Sequence, residues 1–224
     1  MNPPLLSIPP SIRRTARLNA WLFLAFLLTT ASPASLRSSF AAPPQPGASA
    51  PTRLAFAIDP AHSALHWTLD TTLHTVHGTF AIKRGELTVD PVSGNATGEI
   101  VVDATSGETG NDSRDKKMHQ EILETAHFPE IVFRVSQIDG LTAPPSKTQL
   151  KVHGTVLIHG MQHDMIIPAD ADFTDGHFDG TAKFVVPYIA WGIKNPSNFL
   201  LKASPTVEVS LELSGTLRPA TKSP

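Results

Sequence analysis

From about residue 54 onward, apolar and polar residues alternate with a period of two, the pattern of strands with one dry and one wet face. Leu65, Trp67 and Leu69 alternate with His66 and Thr68. Val76, Gly78, Phe80 and Ile82 share one parity, whereas Leu87 and Val89 share the other, which predicts a bend or bulge near Lys83-Arg84-Gly85. Ala96, Gly98, Ile100, Val102 and Ala104 form the next stripe, and Ile131, Phe133 and Val135 follow after a gap. Leu150 to Ile158, Met165 to Phe173, Phe178 to Val186 and Val207 to Leu213 complete the series. Asp90-Pro91-Val92-Ser93-Gly94, Ala143-Pro144-Pro145-Ser146, His159-Gly160 and Asp175-Gly176 are turn signals between stripes. Connections this short imply antiparallel neighbours, because parallel pairs need crossovers of about a dozen residues.

One segment has a helical period. Ser113 to Glu124 places Met118, Ile122 and Leu123 on one side, with Asn111 or Asp112 as cap and Pro129 beyond its end. The expected fold is therefore all-β, a sandwich or a closed eight-stranded antiparallel barrel, with one short helical segment. That segment is expected between strands four and five. Small residues on the dry parity, among them Gly78, Gly98, Gly154, Ala169, Ala171, Gly180 and Ala182, admit two readings. They leave room for a ligand inside a barrel, or they mark bulges and close backbone approaches.

The first 50 residues have a different character. Arg13, Arg14 and Arg17 precede an apolar run of about nine residues, Ala20 to Leu28, too short for the roughly 20 that span a bilayer. Small residues follow, so 1–41 reads as a secretory signal with cleavage after Ala34 or Ala41. Ten of the 20 prolines lie in the first 60 residues, and 42–53 reads as a flexible Pro-rich linker. The folded unit is expected over 54–218 and a disordered tail over 219–224. The expected location is periplasmic or secreted, with no permanent membrane span.

Composition removes several chemistries. With no cysteine there are no disulfides, thiolate metal sites or thiol nucleophiles. Eighteen basic against 20 acidic residues leave no cationic footprint for nucleic acid. No Gly-x-Ser-x-Gly elbow is present for a serine hydrolase. The 10 histidines, with His62, His66, His74 and His77 close in sequence, keep open a metal-binding protein or metal-dependent enzyme, although no His-Glu-x-x-His pattern occurs. Nothing in the sequence indicates an oligomeric state.

Gly110-Asn111-Asp112-Ser113-Arg114-Asp115 and then Phe128-Pro129-Glu130-Ile131-Val132-Phe133 resemble the YceI-like proteins, with their Gly-Asn-x-x-Arg-Asp before a Tyr-Pro-x-Ile-x-Phe strand. Asp59-Pro60-Ala61-His62-Ser63, Val76-His77-Gly78-Thr79-Phe80, Gly154 to Gly160 and Trp191-Gly192-Ile193 match in the same order, so the resemblance runs from about Phe56 to Gly215. It implies a lipocalin-like barrel holding a polyisoprenoid lipid, a quinone or polyprenyl chain, in an apolar tunnel, with no cofactor and no catalysis. The sequence departs from the family at Lys117, where a histidine is common, and at Ile122-Leu123-Glu124, where Phe-Phe-Asp is usual. These departures bear on the ligand.

The expected tunnel wall takes Trp67, Leu69, Phe80, Leu87 and Ile100 from the first half of the unit. Phe133, Val156, Ile158, Phe173, Phe184 and Leu211 come from the second half. Arg114 and Asp115 are the expected polar residues at the tunnel mouth. No residue is assigned to a metal.

Overall fold

The structure, a computed structural model, describes residues 52–142 and 144–220. The expected signal peptide and nearly all of the expected linker lie outside these residues, as do 221–224.

The strands are β1 (Leu54–Ile58), β2 (Ala64–Asp70), β3 (Thr75–Val89), β4 (Ala96–Glu108) and β5 (Glu130–Asp139). They continue with β6 (Thr148–Ile158), β7 (Met161–Thr174), β8 (His177–Val186) and β9 (Val207–Pro219). All pair antiparallel in the order β1-β3-β2-β9-β8-β7-β6-β5-β4, and β3 also pairs β4, which closes the sheet. Because β1 and β2 both lie between β3 and β9, they act as one stave. The result is a closed eight-stranded antiparallel barrel.

β1 was not among the expected stripes. It has only five residues, yet Phe56 and Ile58 are buried and face the core. A 3-10 turn over Pro60–His62 separates it from β2. Proline is suited to the start of that turn, and the Asp59 carboxylate accepts the Ala61 N–H at 2.9 Å. At the other end of the chain, β9 continues through Pro219, which pairs with Leu54.

The expected irregularity in β3 is present: the register with β4 shifts between Ile82 and Arg84. The extra residue moves the buried parity from Ile82 to Gly85 and Val89. Outside the bulge, Arg84 bridges Glu99 at 2.9 Å and Glu130 at 3.3 Å, and Lys83 reaches Glu130 at 2.8 Å.

The two longest connections, 109–129 and 187–206, lie at one end of the barrel. That end carries the β2–β3 turn, the helical β4–β5 connection, the β6–β7 turn and the 187–206 segment before β9. The opposite end is packed: Phe56 meets Phe173 and Phe178 edge to face, with centroids 6.2 and 5.4 Å apart. Ile58, Val89, Ala96 and Ile138 are buried in the same cluster. Packing at one end leaves the interior free at the other.

Candidate functional site

The helical connection begins at α1 (Asp112–Lys117). Of the two expected caps, Asn111 serves, its side chain accepting the Arg114 N–H at 3.0 Å. The helix then widens into a π turn over Met118–Ile122, where the Leu123 N–H bonds back to the Met118 carbonyl. Such widened turns are common at functional sites. The His119 ring nitrogen Nε2 donates to the Gly107 carbonyl at 2.8 Å and so fixes the turn against β4. Met118, Ile122 and Leu123 are thereby turned towards the barrel interior.

Beneath this cap lies a half-open cavity of about 420 Å³ with an almost wholly apolar lining. Trp67, Leu69, Phe80 and Ile100 line it as expected from the sequence, and so do Phe133, Val156, Ile158, Phe184 and Leu211. Leu87 and Phe173 do not. They border a second apolar cavity of about 110 Å³ nearer the packed end. The reason is the β3 bulge together with barrel depth. Leu87 lies past the bulge, and Phe173 is held against Phe56 at the packed end. Ile100, Phe133, Ile167 and Leu211 border both cavities and form a waist between them.

The two readings of the small residues divide by position. A Cβ at Gly78 would lie 2.3 Å from the Trp67 ring, whereas one at Gly154 would lie 2.3 Å from the Arg134 carbonyl oxygen and 2.7 Å from the Phe133 ring. Gly78 therefore seats the Trp67 ring, and Gly154 allows a close backbone approach of β5 as well as the Phe133 ring. Ala169, Ala171, Gly180 and Ala182 instead border the smaller cavity, where their size leaves space.

The mouth pair is also divided. Arg114 borders the cavity and Asp115 does not. Both are bound to Thr109: Arg114 Nε donates to its Oγ1 at 2.7 Å, and its hydroxyl donates to the Asp115 carboxylate. Burial pushes the Asp115 carboxyl up, but the Thr109 bonds outweigh it and hold it below its ordinary range. These two residues clasp the start of α1.

The 187–206 segment forms part of the wall that alternation did not reveal. Tyr188, Trp191, Ile193, Leu201 and Ala203 line the cavity. Tyr188 is only 6% exposed, its hydroxyl donates to the Ser204 carbonyl at 2.8 Å, and burial raises its pKa. It therefore remains neutral and adds no charge to the lining. Trp191 stacks on His163 with centroids 4.3 Å apart and planes within 3°. Lys194 reaches Glu121 at 3.4 Å and ties the segment to the π turn. In the sequence this segment shows itself only through the Trp191-Gly192-Ile193 match and the apolar run Tyr188 to Ile193, which has no period.

Among the described residues, no three His, Cys, Asp or Glu side chains converge as a metal site would need. The histidines are spread over separate partners: His62 on Asp59, His77 on Thr68, His153 on Asp139 and His119 on Gly107. No helix among the described residues is long and apolar enough to cross a membrane.

A closed antiparallel barrel, packed at one end and hollow and apolar at the other, has the architecture of the small ligand-holding barrels. Residues 56–215 match the model of the YceI-like domain, and the chain belongs to that family. Among solved structures, BcnA of Burkholderia cenocepacia is 14% identical with a TM-score of 0.58, covering 71% of this chain and 99% of that one. A polyisoprenoid-binding domain from Saccharophagus degradans, described as implicated in plant cell wall breakdown, is 17% identical with a TM-score of 0.55. That match covers 74% of this chain and 99% of the other. At these identities the likeness is one of fold. No curated protein matches the chain.

Proposed function

We propose that this is an exported, non-catalytic binding protein that holds a polyisoprenoid-type lipid, a quinone or polyprenyl chain, for carriage or storage. The observation that carries the reading is the half-open apolar cavity of about 420 Å³. Its size falls within the roughly 300–1,000 Å³ of small-molecule sites. At about 30 Å³ for a group the size of water, it takes on the order of a dozen carbon atoms.

An isoprenoid has methyls and methylenes and almost no polar handle, so its affinity comes from area removed from water, about 0.8 kcal/mol per buried CH₂. The cavity suits such a chain, since its wall is Trp67, Phe80, Phe133, Phe184 and aliphatic side chains, while Arg114 and Lys117 stand at its border. The family and the polyisoprenoid-binding description of the Saccharophagus degradans domain support the same ligand class. In this reading the barrel walls shield the chain, the π turn and the 187–206 segment roof it, and the polar end faces the mouth. Export is supported by the positive, apolar and small-residue order of the first 41 residues.

Titration of lipid-stripped protein with farnesol, followed by tryptophan fluorescence, tests the site, because Trp67 and Trp191 both border the cavity. A saturable one-to-one response that is weakened by Phe184→Asp is expected. A response that never saturates, or that ignores this substitution, contradicts the reading.

A further inference from the structure

Two loops at the open end carry the most exposed large apolar side chains of that end. Phe199 is 94% exposed, Leu200 76% and Leu73 69%. The loops are joined to each other. Thr72 N–H donates to the Lys202 carbonyl at 2.9 Å, Lys202 N–H returns to Thr72 Oγ1 at 3.2 Å, and Thr71 pairs with Ala203. Asn198 N–H bonds the Leu201 carbonyl at 2.8 Å, closing a four-residue turn whose two central positions are Phe199 and Leu200. Turn centres ordinarily carry Gly, Pro, Asn, Asp or Ser. Here they carry a phenylalanine and a leucine directed into solvent.

The same loops form the cavity rim. Thr71, His74, Asn198, Leu201 and Ala203 line the cavity, while Leu73, Phe199 and Leu200 stand outside it. The exposed apolar side chains of the tip thus stand beside the rim of the cavity. Lys202 lies in this loop, Arg114 and Lys117 border the same opening, and Glu121 is tied to Lys194.

We infer that this tip is a membrane-docking wedge, which seats the open end of the barrel on a lipid bilayer. A wedge of aromatic and aliphatic side chains with flanking lysines matches the chemistry of the bilayer interface, where apolar groups enter the acyl boundary and lysines reach the phosphates. Three side chains expose on the order of a few hundred Å². This is below the roughly 800 Å² that each partner contributes to a standard-size protein interface, so a bilayer suits the tip better than a folded partner does. A cavity seated in this way would exchange a poorly soluble chain with the bilayer without exposing it to water. The inference extends the cargo reading and is tested separately from it.

The chain has no cysteine, so a single introduced thiol can be labelled cleanly. Leu200→Cys carries an environment-sensitive NBD fluorophore at the tip. Val92→Cys carries it at the β3–β4 turn of the packed end, where Val92 is 77% exposed. Each labelled full-length protein is mixed with vesicles of phosphatidylethanolamine and phosphatidylglycerol. At position 200 a blue shift with at least a three-fold rise in emission is expected, with no change at position 92. Adding Leu73→Ser and Phe199→Ser to the Leu200→Cys protein is expected to weaken the response at least ten-fold while leaving the thermal midpoint in place.

Equal responses at both positions, no response at position 200, or a response insensitive to the two serine substitutions overturns the inference. A blue shift that grows with protein concentration in the absence of vesicles also overturns it, by showing a contact between copies. Solvent extracts of the same preparations report the cargo independently. A tip response with no bound prenyl lipid leaves docking standing and the cargo reading contradicted, and bound lipid with a silent tip does the reverse.

Discussion

The Trp67 indole lies directly over Gly78 on the neighbouring strand, where a Cβ would come within 2.3 Å of its ring. The two residues are register partners of β2 and β3, and the missing side chain of one is the seat of the other. Gly78→Ala is therefore expected to push the indole into the cavity and to destabilise the fold by about 1–3 kcal/mol, as overpacking does. Urea unfolding measures the second effect. Reduced farnesol uptake per molecule, at protein concentrations where the variant is folded, measures the first.

Phe133 stands at the waist between the two cavities, its ring pressed on Gly154. Truncation to alanine is expected to join the two spaces. The smaller space, about 110 Å³, admits on the order of four further carbons at about 30 Å³ each, nearly one isoprene unit. Phe133→Ala should then shift the preferred prenol by about one unit, for instance from C15 to C20, as competition assays with a prenol series would show. The cost in stability is about 3 kcal/mol, the low end for buried phenylalanine truncations, since Phe133 is only half buried.

Much of this was legible from the residues. Alternation located every stave from β2 to β9, and the parity change near Lys83-Arg84-Gly85 located the bulge, because a slip by one residue moves the dry side chains to the wet face. The inward positions of Trp67, Phe80, Phe133 and Phe184 followed from the same parity. Depth along the barrel did not follow. Parity separates inside from outside but says nothing of height, so Leu87 and Phe173 were grouped with residues of the other cavity. The Tyr188–Ala203 part of the wall was hidden because a roof segment has no repeating period. β1 was missed because five residues after a proline-rich stretch give too few alternations to read.

The acid limb of stability follows from the carboxylates. Thr105 hydrogen bonds hold Asp103 below its ordinary value of 3.8, and Gln137 and then His153 do the same for Asp139. Backbone N–H groups of Val92 and Ser93 act likewise on Asp90. In each case the folded pKa lies below the unfolded one, so the stabilisation is fully present above the unfolded value and is lost as pH falls through the folded value. Stability is expected to be level between about pH 5 and 7 with respect to these groups and to fall below about pH 4. Denaturant midpoints measured across this range check it, and Asp103→Asn should flatten the fall.

The Asn111 cap offers a test of the roof. Asn111→Ala removes the acceptor for the Arg114 N–H, at an expected cost of about 1 kcal/mol. Because α1 leads directly into the π turn above the cavity, hydrogen exchange should quicken at Arg114 to Leu123 and stay unchanged at the packed end around Phe56 and Phe178. Uniform quickening would show that the roof does not open independently of the barrel.

The central claim is that the hollow end of the barrel holds the hydrocarbon chain of a prenyl lipid. Its most direct test is organic-solvent extraction of the purified protein, with mass spectrometry of the extract and quantitation against protein. The account predicts one prenyl lipid per barrel, lost in a Phe184→Asp variant that still folds. A wild-type extract without prenyl lipid, from protein that also takes up none when offered farnesol or a short-chain quinone, would contradict it.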